Sequence, residues 1–542
     1  MSNVSQERLT FYTRHYQALA EPMLALMRHG IRVDVEAMRD IRATTWLQCR
    51  RIQRELDEAT GALTCDCGHR LVQHPVRRVN KYANVLKKDG KPRKAKFVDT
   101  QPCHRCECAA FKPVGASLHA ETDLSPQRIC HFLYTTWQLP KQHKRGEPGL
   151  TADEITLRKL RLRIQGMIDK PMRKPKPNTP RWKTNPEPLA RCIDLILLHR
   201  ERFKSLQYVN EDAVDIDGRL RCMYKVTTQP GRLASSENPF GTGYNLQNIP
   251  RGEMRRIFLP DPGHVLVECD FSQIEDRIVK VKSGDPAAIE LARMHPSVYD
   301  AHSAAAQRMF ALVLGVPENE VDVKVEVVPG SSRRQLAKPA RHGANYGEGA
   351  NKLQDSLLKD GVVLPIALCK RLLDAAREAY VLAYQLRVRK HILHDHQLVS
   401  SWGRVLDFRG LRLNDDTYRR GYAFWAATEN ADNLNQLGLV PLYRFIRDNG
   451  LASRILLQVH DSLVVSCPPD EAYDIMAFMR ESMEQTREYE GVSLSVPVEF
   501  KLGSRWAVAK QTPNGVVWKT EHEWNKLPDR DVVTSAAKEL AK

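Results

Sequence analysis

HVLVECDFSQIEDR (residues 264–277) and RILLQVHDSLVVSC (residues 454–467) each bring a β-prone apolar run up to an aspartate, Asp270 and Asp461. In the first, a Val/Leu-rich segment delivers Asp270 to a strand end, and a helix is expected to follow. In the second, two β-prone runs flank His460-Asp461-Ser462, which predicts a hairpin with Asp461 at its tip. A lone aspartate after a strand is ordinarily a turn former. Two that converge through the fold make a site for hard divalent cations, which take carboxylate oxygens and commonly contact substrate phosphates. Two such ions about 4 Å apart activate an attacking oxygen and stabilise a leaving one.

The rest of the chain gives these aspartates a polyanionic setting. Lys and Arg number 82 against 65 Asp and Glu, a formal charge of +17 over 542 residues. That balance favours nucleic acid as a partner, and the length predicts several subdomains. No run of about 18 apolar residues predicts a membrane span. The N-terminal MSNVSQERLTFYTRHYQ lacks the apolar centre of a signal peptide, so a cytoplasmic protein is expected. Its twelve cysteines are then not a disulfide framework.

Along the chain, residues 8–60 read as helical, broken by a C-cap and turn at His29-Gly30. A cysteine-rich basic segment follows at 62–112, then an N-cap at Ser125-Pro126. KPMRKPKPNTPRW (170–182) reads as an extended surface loop, and a helix is expected over 189–206. Strands and turns dominate 221–270, helices 285–395, and VPVEFKLG (496–503) is a final core strand. Residues 507–542 are polar with little periodicity, which predicts a mobile tail.

SSRRQLAKPARHGANYGEG (331–349) places Arg334, Lys338, His342 and Tyr346 at successive i, i+4 positions, one face of a helix. Two cations followed by an aromatic ring suit a nucleotide, with triphosphate at one end and base or sugar at the other. Gly343 and Gly347 mark close approach of a backbone or ligand, while Pro339 removes a helix hydrogen bond and can kink the helix.

At these residues a family resemblance becomes specific. DFSQIEDR (270–277) resembles motif A of the family A DNA polymerases, the group of bacterial DNA polymerase I. RRQLAKPARHGANYG (333–347) resembles motif B, and QVHDS (458–462) resembles motif C. GRLASSENP with NLQNIP (231–250), YDAHSAAA (299–306) and SWGRVLDFRG (401–410) are similar to three further family segments in the same order. The resemblance implies that Asp270 and Asp461 hold two Mg²⁺ ions and that Arg334 and Lys338 contact phosphates. It places His302 on the triphosphate, Glu275 and Gln273 at the substrate with Glu275 excluding a 2′-hydroxyl, and Tyr346 near the templating base. Arg232, Gln458, His460 and Gln436 would contact primer–template DNA. Four positions depart from the family pattern: Ser462 stands where Glu is usual, His342 where Phe or Tyr is usual, Phe271 for Tyr and Asp276 for Leu. The His342 position is one the family uses to discriminate dideoxy from deoxy substrates.

The expected fold is α+β, a right-hand polymerase with an antiparallel-sheet palm, helical fingers and a helical thumb carrying a small zinc-binding insert. The expected divisions are a thumb-like region at 1–220 with its insert at 62–112, palm at 221–284, fingers at 285–410, palm again at 411–506 and an extension at 507–542. The function implied is addition of deoxynucleoside triphosphates to a primer 3′ end. The thumb-like pattern begins near residue 22, so no intrinsic 3′–5′ exonuclease is expected, and a separate exonuclease or replisome proteins are candidate partners. These features resemble a bacteriophage replicative enzyme, working in the host cytoplasm. A single-subunit RNA polymerase and a non-catalytic DNA-binding homologue are the alternatives; Glu275 and the GRLASS–NLQNIP block favour DNA synthesis.

CDCGHRLVQH (65–74) and CHRCEC (103–108) supply five thiols and candidate imidazoles at His69, His74 and His104. Thiolate and imidazole at C-x-C and C-x₂-C spacing suit tetrahedral Zn²⁺. The candidate ligands are Cys65, Cys67, His74, Cys103 and Cys106, with Cys108 a further one. Between Arg77 and Lys96 lie nine Lys/Arg and one acid, Asp89, a stretch suited to phosphate contacts or to docking a replication partner. Elemental analysis of the purified protein is expected to find one zinc per chain; a zinc-free protein of full activity would remove this reading.

Overall fold

A computed structural model describes residues 6–65, 71, 77–80, 97–100, 113–119, 123–144, 147–170, 176–328, 331–512 and 515–542. The VLVECDF run forms strand β1 (Val265–Phe271), buried along nearly its whole length. Polar Ser272 and Gln273 end it, and Gln273, in the left-handed region at φ 55°, redirects the chain into helix α1 (Ile274–Ser283). Helix α2 (Ala301–Leu314) starts at Asp300, whose side chain accepts from the His302 and Ser303 amides. Helix α3 (Arg333–Asn345) starts with a capping box between Ser332 and Gln335. The helix continues through Pro339. Its alanine face, with Ala337, Ala340 and Ala344, packs into a core with Ala305, Ala306 and Met309 of α2, and this packing outweighs the lost backbone bond.

Strands β2 (Arg454–Val459) and β3 (Ser462–Cys467) form the expected hairpin. Helix α4 (Ala472–Met483) follows, then strand β4 (Val498–Gly503). The tail continues as β5 (Val508–Thr512), β6 (Gly515–Lys519), β7 (His522–Trp524) and helix α5 (Arg530–Leu540). The central sheet has the order β2-β3-β1-β4-β7, antiparallel throughout. Its register sets Asp270 opposite Ser462 on β3 and opposite Glu499 on β4.

The tail is therefore folded where mobility was expected. Phe500 pairs with Trp524 across β4 and β7, and Val533 and Ala537 are buried on α5, which packs against α4. These apolar anchors are too far apart in sequence to produce a periodic signal.

The chain divides into two compact units, residues 1–41 with 208–542, and residues 42–207. These units group the first region's ends differently from its middle. Residues 31–33 form a strand paired with Arg219–Leu220 and Phe258–Leu259, and the helix Gln6–His29 packs against β2, so the N-terminus belongs to the larger unit. Gly30 joins that helix to its strand at φ +66°, and a Cβ there would lie 2.6 Å from the Leu220 carbonyl oxygen. In the smaller unit, helices Glu154–Asp169 and Pro186–Ser205 enclose a core of Leu56, Leu133, Leu157, Trp182, Ile193 and Ile196. Ser125 caps the helix Pro126–His131 as expected. Trp182, read as part of a surface loop, is only 2% exposed and sits in a helical turn, Arg181–Thr184.

Of the candidate zinc ligands, Cys65 is buried and forms a β-bridge with Pro113; Cys67, His74, Cys103, Cys106 and Cys108 lie outside the described residues. Among the described residues, no group of three or more His, Cys, Asp and Glu is placed to hold a metal, and no helix is long and apolar enough to cross a membrane.

Asp276, where Leu is usual, has a structural explanation. Its carboxylate pairs with Lys280 and, at 3.0 Å, with Arg341, whose guanidinium also meets Glu378. Burial alone would raise the Asp276 carboxyl, but Lys280 and Arg341 outweigh it and hold it well below the ordinary carboxylate range. Asp276→Ala, which strands the buried Lys280 and takes one of two carboxylates from Arg341, is expected to cost about 3–5 kcal/mol in urea unfolding. Because the folded-state pKa is depressed, the wild-type contribution is complete at neutral pH and falls away below about pH 4. A variant as stable as wild type at pH 7 would contradict this.

Candidate active site

The β2–β3 turn holds only His460 and Asp461, with His460 in the left-handed region at φ +56°. This tight turn puts Asp461 beside the end of β1, where the Phe271 amide donates to the Asp461 carbonyl at 3.2 Å. On the other side the Ser272 amide donates to the Pro497 carbonyl at 2.9 Å, so backbone bonds from both neighbours fix Asp270. Both aspartates line a cavity of about 940 Å³.

Burial, then the charge of Asp461, pushes the Asp270 carboxyl far above its ordinary range, and Lys501 opposes that rise. Burial likewise raises Asp461, with Glu275 adding to it. Asp270 Oδ1 is buried without a hydrogen-bond partner. An orphaned carboxylate oxygen beside a second carboxylate is the donor set that hard cations bind, the other positions going to water and phosphate. The pair thus fits Mg²⁺. Ser462 Oγ turns back to donate to the Val459 carbonyl at 3.0 Å and adds no anionic ligand.

Helix α3 sends Arg334, Lys338 and His342 into the same cavity, while Tyr346 sits at its C-cap. Arg334 Nε donates to Asp300 Oδ2 at 2.7 Å. Burial would raise the Asp300 carboxyl, but hydrogen bonds from Arg334 and Ser303 hold it at about 2. Gln273 braces the same aspartate, its amide nitrogen donating to Asp300 Oδ1 at 3.0 Å, and its oxygen accepts from the Ala301 amide. His302 lines the cavity, and burial lowers its imidazole to about 4, so it is neutral at pH 7. Lys338 has no ion pair among the described residues.

Glu275 joins residues that the sequence named separately. It accepts from Arg232 and from the Tyr346 hydroxyl, and the His342 ring stands edge-on to Tyr346 at 4.5 Å. His460 also lines the cavity, whereas Gln458 and Gln436 do not. Gln458 is 2% exposed, accepting from Gln247 Nε2 at 2.8 Å and donating to the His460 carbonyl at 3.2 Å. Gln436 Nε2 meets His15 Nδ1 at 3.0 Å on the N-terminal helix.

Sequence reading missed Glu268, Glu499, Lys501 and Arg255, all of which line the cavity. Lys501 Nζ pairs with Glu268 Oε1 at 2.7 Å, and Trp506 Nε1 donates to Glu268 Oε2 at 2.8 Å. The available signal was period-two alternation: Glu268 lies two residues before Asp270, and Glu499 and Lys501 occupy alternate positions of a recognised strand.

An antiparallel sheet with paired carboxylates thus shares one cavity with a helix that presents arginine and lysine. A structure described as the POL domain of Pol1 from M. smegmatis in complex with DNA primer-template and dNTP shares this fold. It matches with a TM-score of 0.63 at 22% identity, over 91% of this chain and 70% of that one. Residues 104–508 match the model of DNA polymerase family A, and the chain belongs to that family. It is 30% identical over 305 residues to DNA polymerase I of Chloroflexus aurantiacus, covering 53% of this chain and 29% of that protein. Against DNA polymerase I of Synechocystis it is 27% identical over 436 residues, 74% of this chain and 38% of the relative. Against the thermostable DNA polymerase I of Thermus aquaticus the identity is 29% over 339 residues, 59% and 36% of the two chains. The chain thus spans about a third of the length of these curated relatives.

The contact of His342 with Tyr346, and through it with Glu275, predicts that His342→Phe shifts the ratio of dideoxy to deoxynucleotide incorporation, by roughly tenfold as for loss of one pocket contact. Competition assays giving equal ratios for the two proteins would count against it.

Proposed function

We propose that this chain is a template-directed DNA polymerase that joins deoxynucleoside triphosphates to a primer 3′ end. The observation that carries this is the meeting of Asp270 and Asp461 in one cavity with Arg334 and Lys338, in a chain of DNA polymerase family A. The Pol1 domain that shares the fold was solved with primer-template DNA and dNTP, which supports the same substrates here.

Asp270 and Asp461 would hold two Mg²⁺ ions, which when bound lower the pKa of the primer 3′-hydroxyl and neutralise the triphosphate. The chain's own residues do the positioning. Arg334 and Lys338 meet the triphosphate and offset charge that grows on the leaving group. Arg334 is aimed for this by Asp300, which Gln273 braces in turn. His302, neutral at pH 7, can donate one hydrogen bond to a phosphate oxygen without adding charge. Glu275, tied to Arg232 and Tyr346, forms a rigid floor beneath the sugar and excludes a 2′-hydroxyl. Arg232 and His460 flank the primer–template junction, where minor-groove acceptors are nearly alike in all base pairs and can be contacted without reading sequence.

The motifs and the cysteine-rich insert support further properties. They are a bacteriophage replicative role in the host cytoplasm and a structural zinc in the cysteine-rich insert. Replisome proteins are the proposed partners.

Primer extension by the purified chain is expected to require Mg²⁺ and to prefer deoxynucleotides over ribonucleotides. Asp270→Asn is expected to lower extension by about 10³-fold or more, the scale of losing a charge that organises the transition state, while primer–template affinity is kept. Normal extension by that variant would refute the assignment. A preference for ribonucleotides would favour the RNA polymerase alternative.

A further inference from the structure

The family match ends at residue 508, yet the chain continues as folded structure that reaches the active-site cavity. In the β5–β6 ladder Lys519 stands opposite Val508, and the neighbouring Thr520 Oγ1 donates to the Trp506 carbonyl at 3.5 Å. Strand β5 packs against the helical turn Glu253–Ile257, and the Arg256 guanidinium lies over the Trp518 ring at 5.8 Å. Arg255, on the same turn, stacks over Trp506 at 4.1 Å. The extension is thus joined to the segment that carries Arg251 and Arg255. Together Arg251, Arg255, Trp518 and Lys519 line the cavity that holds Asp270 and Asp461.

Three cations of this wall are unmatched. Arg251 and Lys519 are exposed, and neither they nor Arg255 form an ion pair among the described residues. The Arg255 Nε is buried without a hydrogen-bond partner. Glu523, opposite Lys501 in register, is the acid that the extension brings to the cavity. Burial lowers the Arg255 guanidinium, Glu268 opposes that fall, and Arg251 and Asp270 also act on it. Burial lowers the His460 imidazole as well; Asp461 opposes this, while Arg232, Arg255 and Arg251 add to it. Arg255 therefore lies within electrostatic reach of both Asp270 and the hairpin tip, and Arg251 within reach of the tip. The polyanion that passes here is the strand whose end meets the aspartate pair, and separate unmatched cations suit its successive phosphodiesters.

We propose that the C-terminal extension is a primer-strand clamp, with Lys519 contacting backbone phosphates near the primer 3′ end alongside Arg251 and Arg255. The inference rests on the polymerase reading and gives a DNA-holding role to a segment outside the family match. Contacts of this kind read no sequence. One lysine on one phosphate sets the size of the effect: roughly five- to tenfold in affinity at low salt, and about one unit in the slope of log Kd against log salt.

The test uses the full chain and four proteins: wild type, Lys519→Ala, Lys519→Arg and Lys538→Ala. Lys538 is on α5, pairs with Asp470 at 2.8 Å and does not line the cavity. Primer–template Kd is measured across a salt series, with natural DNA and with uncharged methylphosphonate linkages placed either at the primer 3′ end or at the facing template positions. Lys519→Ala is expected to raise Kd roughly five- to tenfold at low salt and to flatten the salt slope by about one, with Lys519→Arg and Lys538→Ala like wild type. Primer methylphosphonates are expected to weaken wild type and to remove most of its advantage over Lys519→Ala, while template methylphosphonates weaken both proteins alike. Unchanged Kd and slope in Lys519→Ala would overturn the proposal. So would coupling of Lys519 to the template linkages instead, an equal effect in Lys538→Ala, or a raised KM for dNTP with unchanged DNA affinity, which would assign the wall to the triphosphate. Wild type that fails to extend any primer would instead remove the polymerase reading itself.

Discussion

Two carboxylates that repel each other are held together by an antiparallel ladder, and the rest of the site is arranged around that repulsion. Neither Asp270 nor Asp461 can retreat. The first is fixed by backbone bonds from both flanking segments, the second by a turn of two residues with His460 at φ +56°. The sheet register, set by apolar alternation along β1, β3 and β4, therefore decides where charge collects. A slip of one residue would turn Asp270 to the opposite face and dissolve the site without changing its composition.

Around this pair, four of the site's cations already have carboxylate partners. Lys501 pairs with Glu268, Arg334 with Asp300, Arg232 with Glu275, and Arg341 with Asp276. Such pairing fixes rotamers, so the guanidinium groups are aimed before any polyanion arrives. It also sets a threshold: an incoming phosphate must offer Arg334 more than Asp300 does. Lys338 and Lys519 lack ion pairs among the described residues and meet no such threshold.

The sequence made the site legible wherever one residue type at one spacing implied the chemistry. The two strand-end aspartates and the Arg334–Lys338–His342 face were readable because period and residue type coincided, and all five residues line one cavity. The Glu275 node was not readable as a unit. Arg232, Glu275 and Tyr346 are 114 positions apart at the extremes and meet only through the fold. Gln458 and Gln436 were named from the family pattern, but their polar groups are taken up by Gln247, the His460 carbonyl and His15. The tail misled because three strands and a helix, anchored by scattered aromatic and small residues, leave no regular pattern.

The departures from the family pattern have different physical weights. Asp276 replaces an apolar residue and is matched by Lys280 and Arg341, so that buried charge is balanced where it stands. Ser462 removes a charge beside Asp461 and spends its hydroxyl on the Val459 carbonyl. Yet the region is not short of acid: Glu499 stands opposite Asp270 in register and accepts from Ser272 at 2.9 Å, and Glu268 lies on the same face. Lys501 offsets Glu268 and restrains the rise of the Asp270 pKa. Acidity lost on the hairpin side of β1 is therefore met by acid on the β4 side, with a lysine keeping the sum of charge tolerable in a buried place.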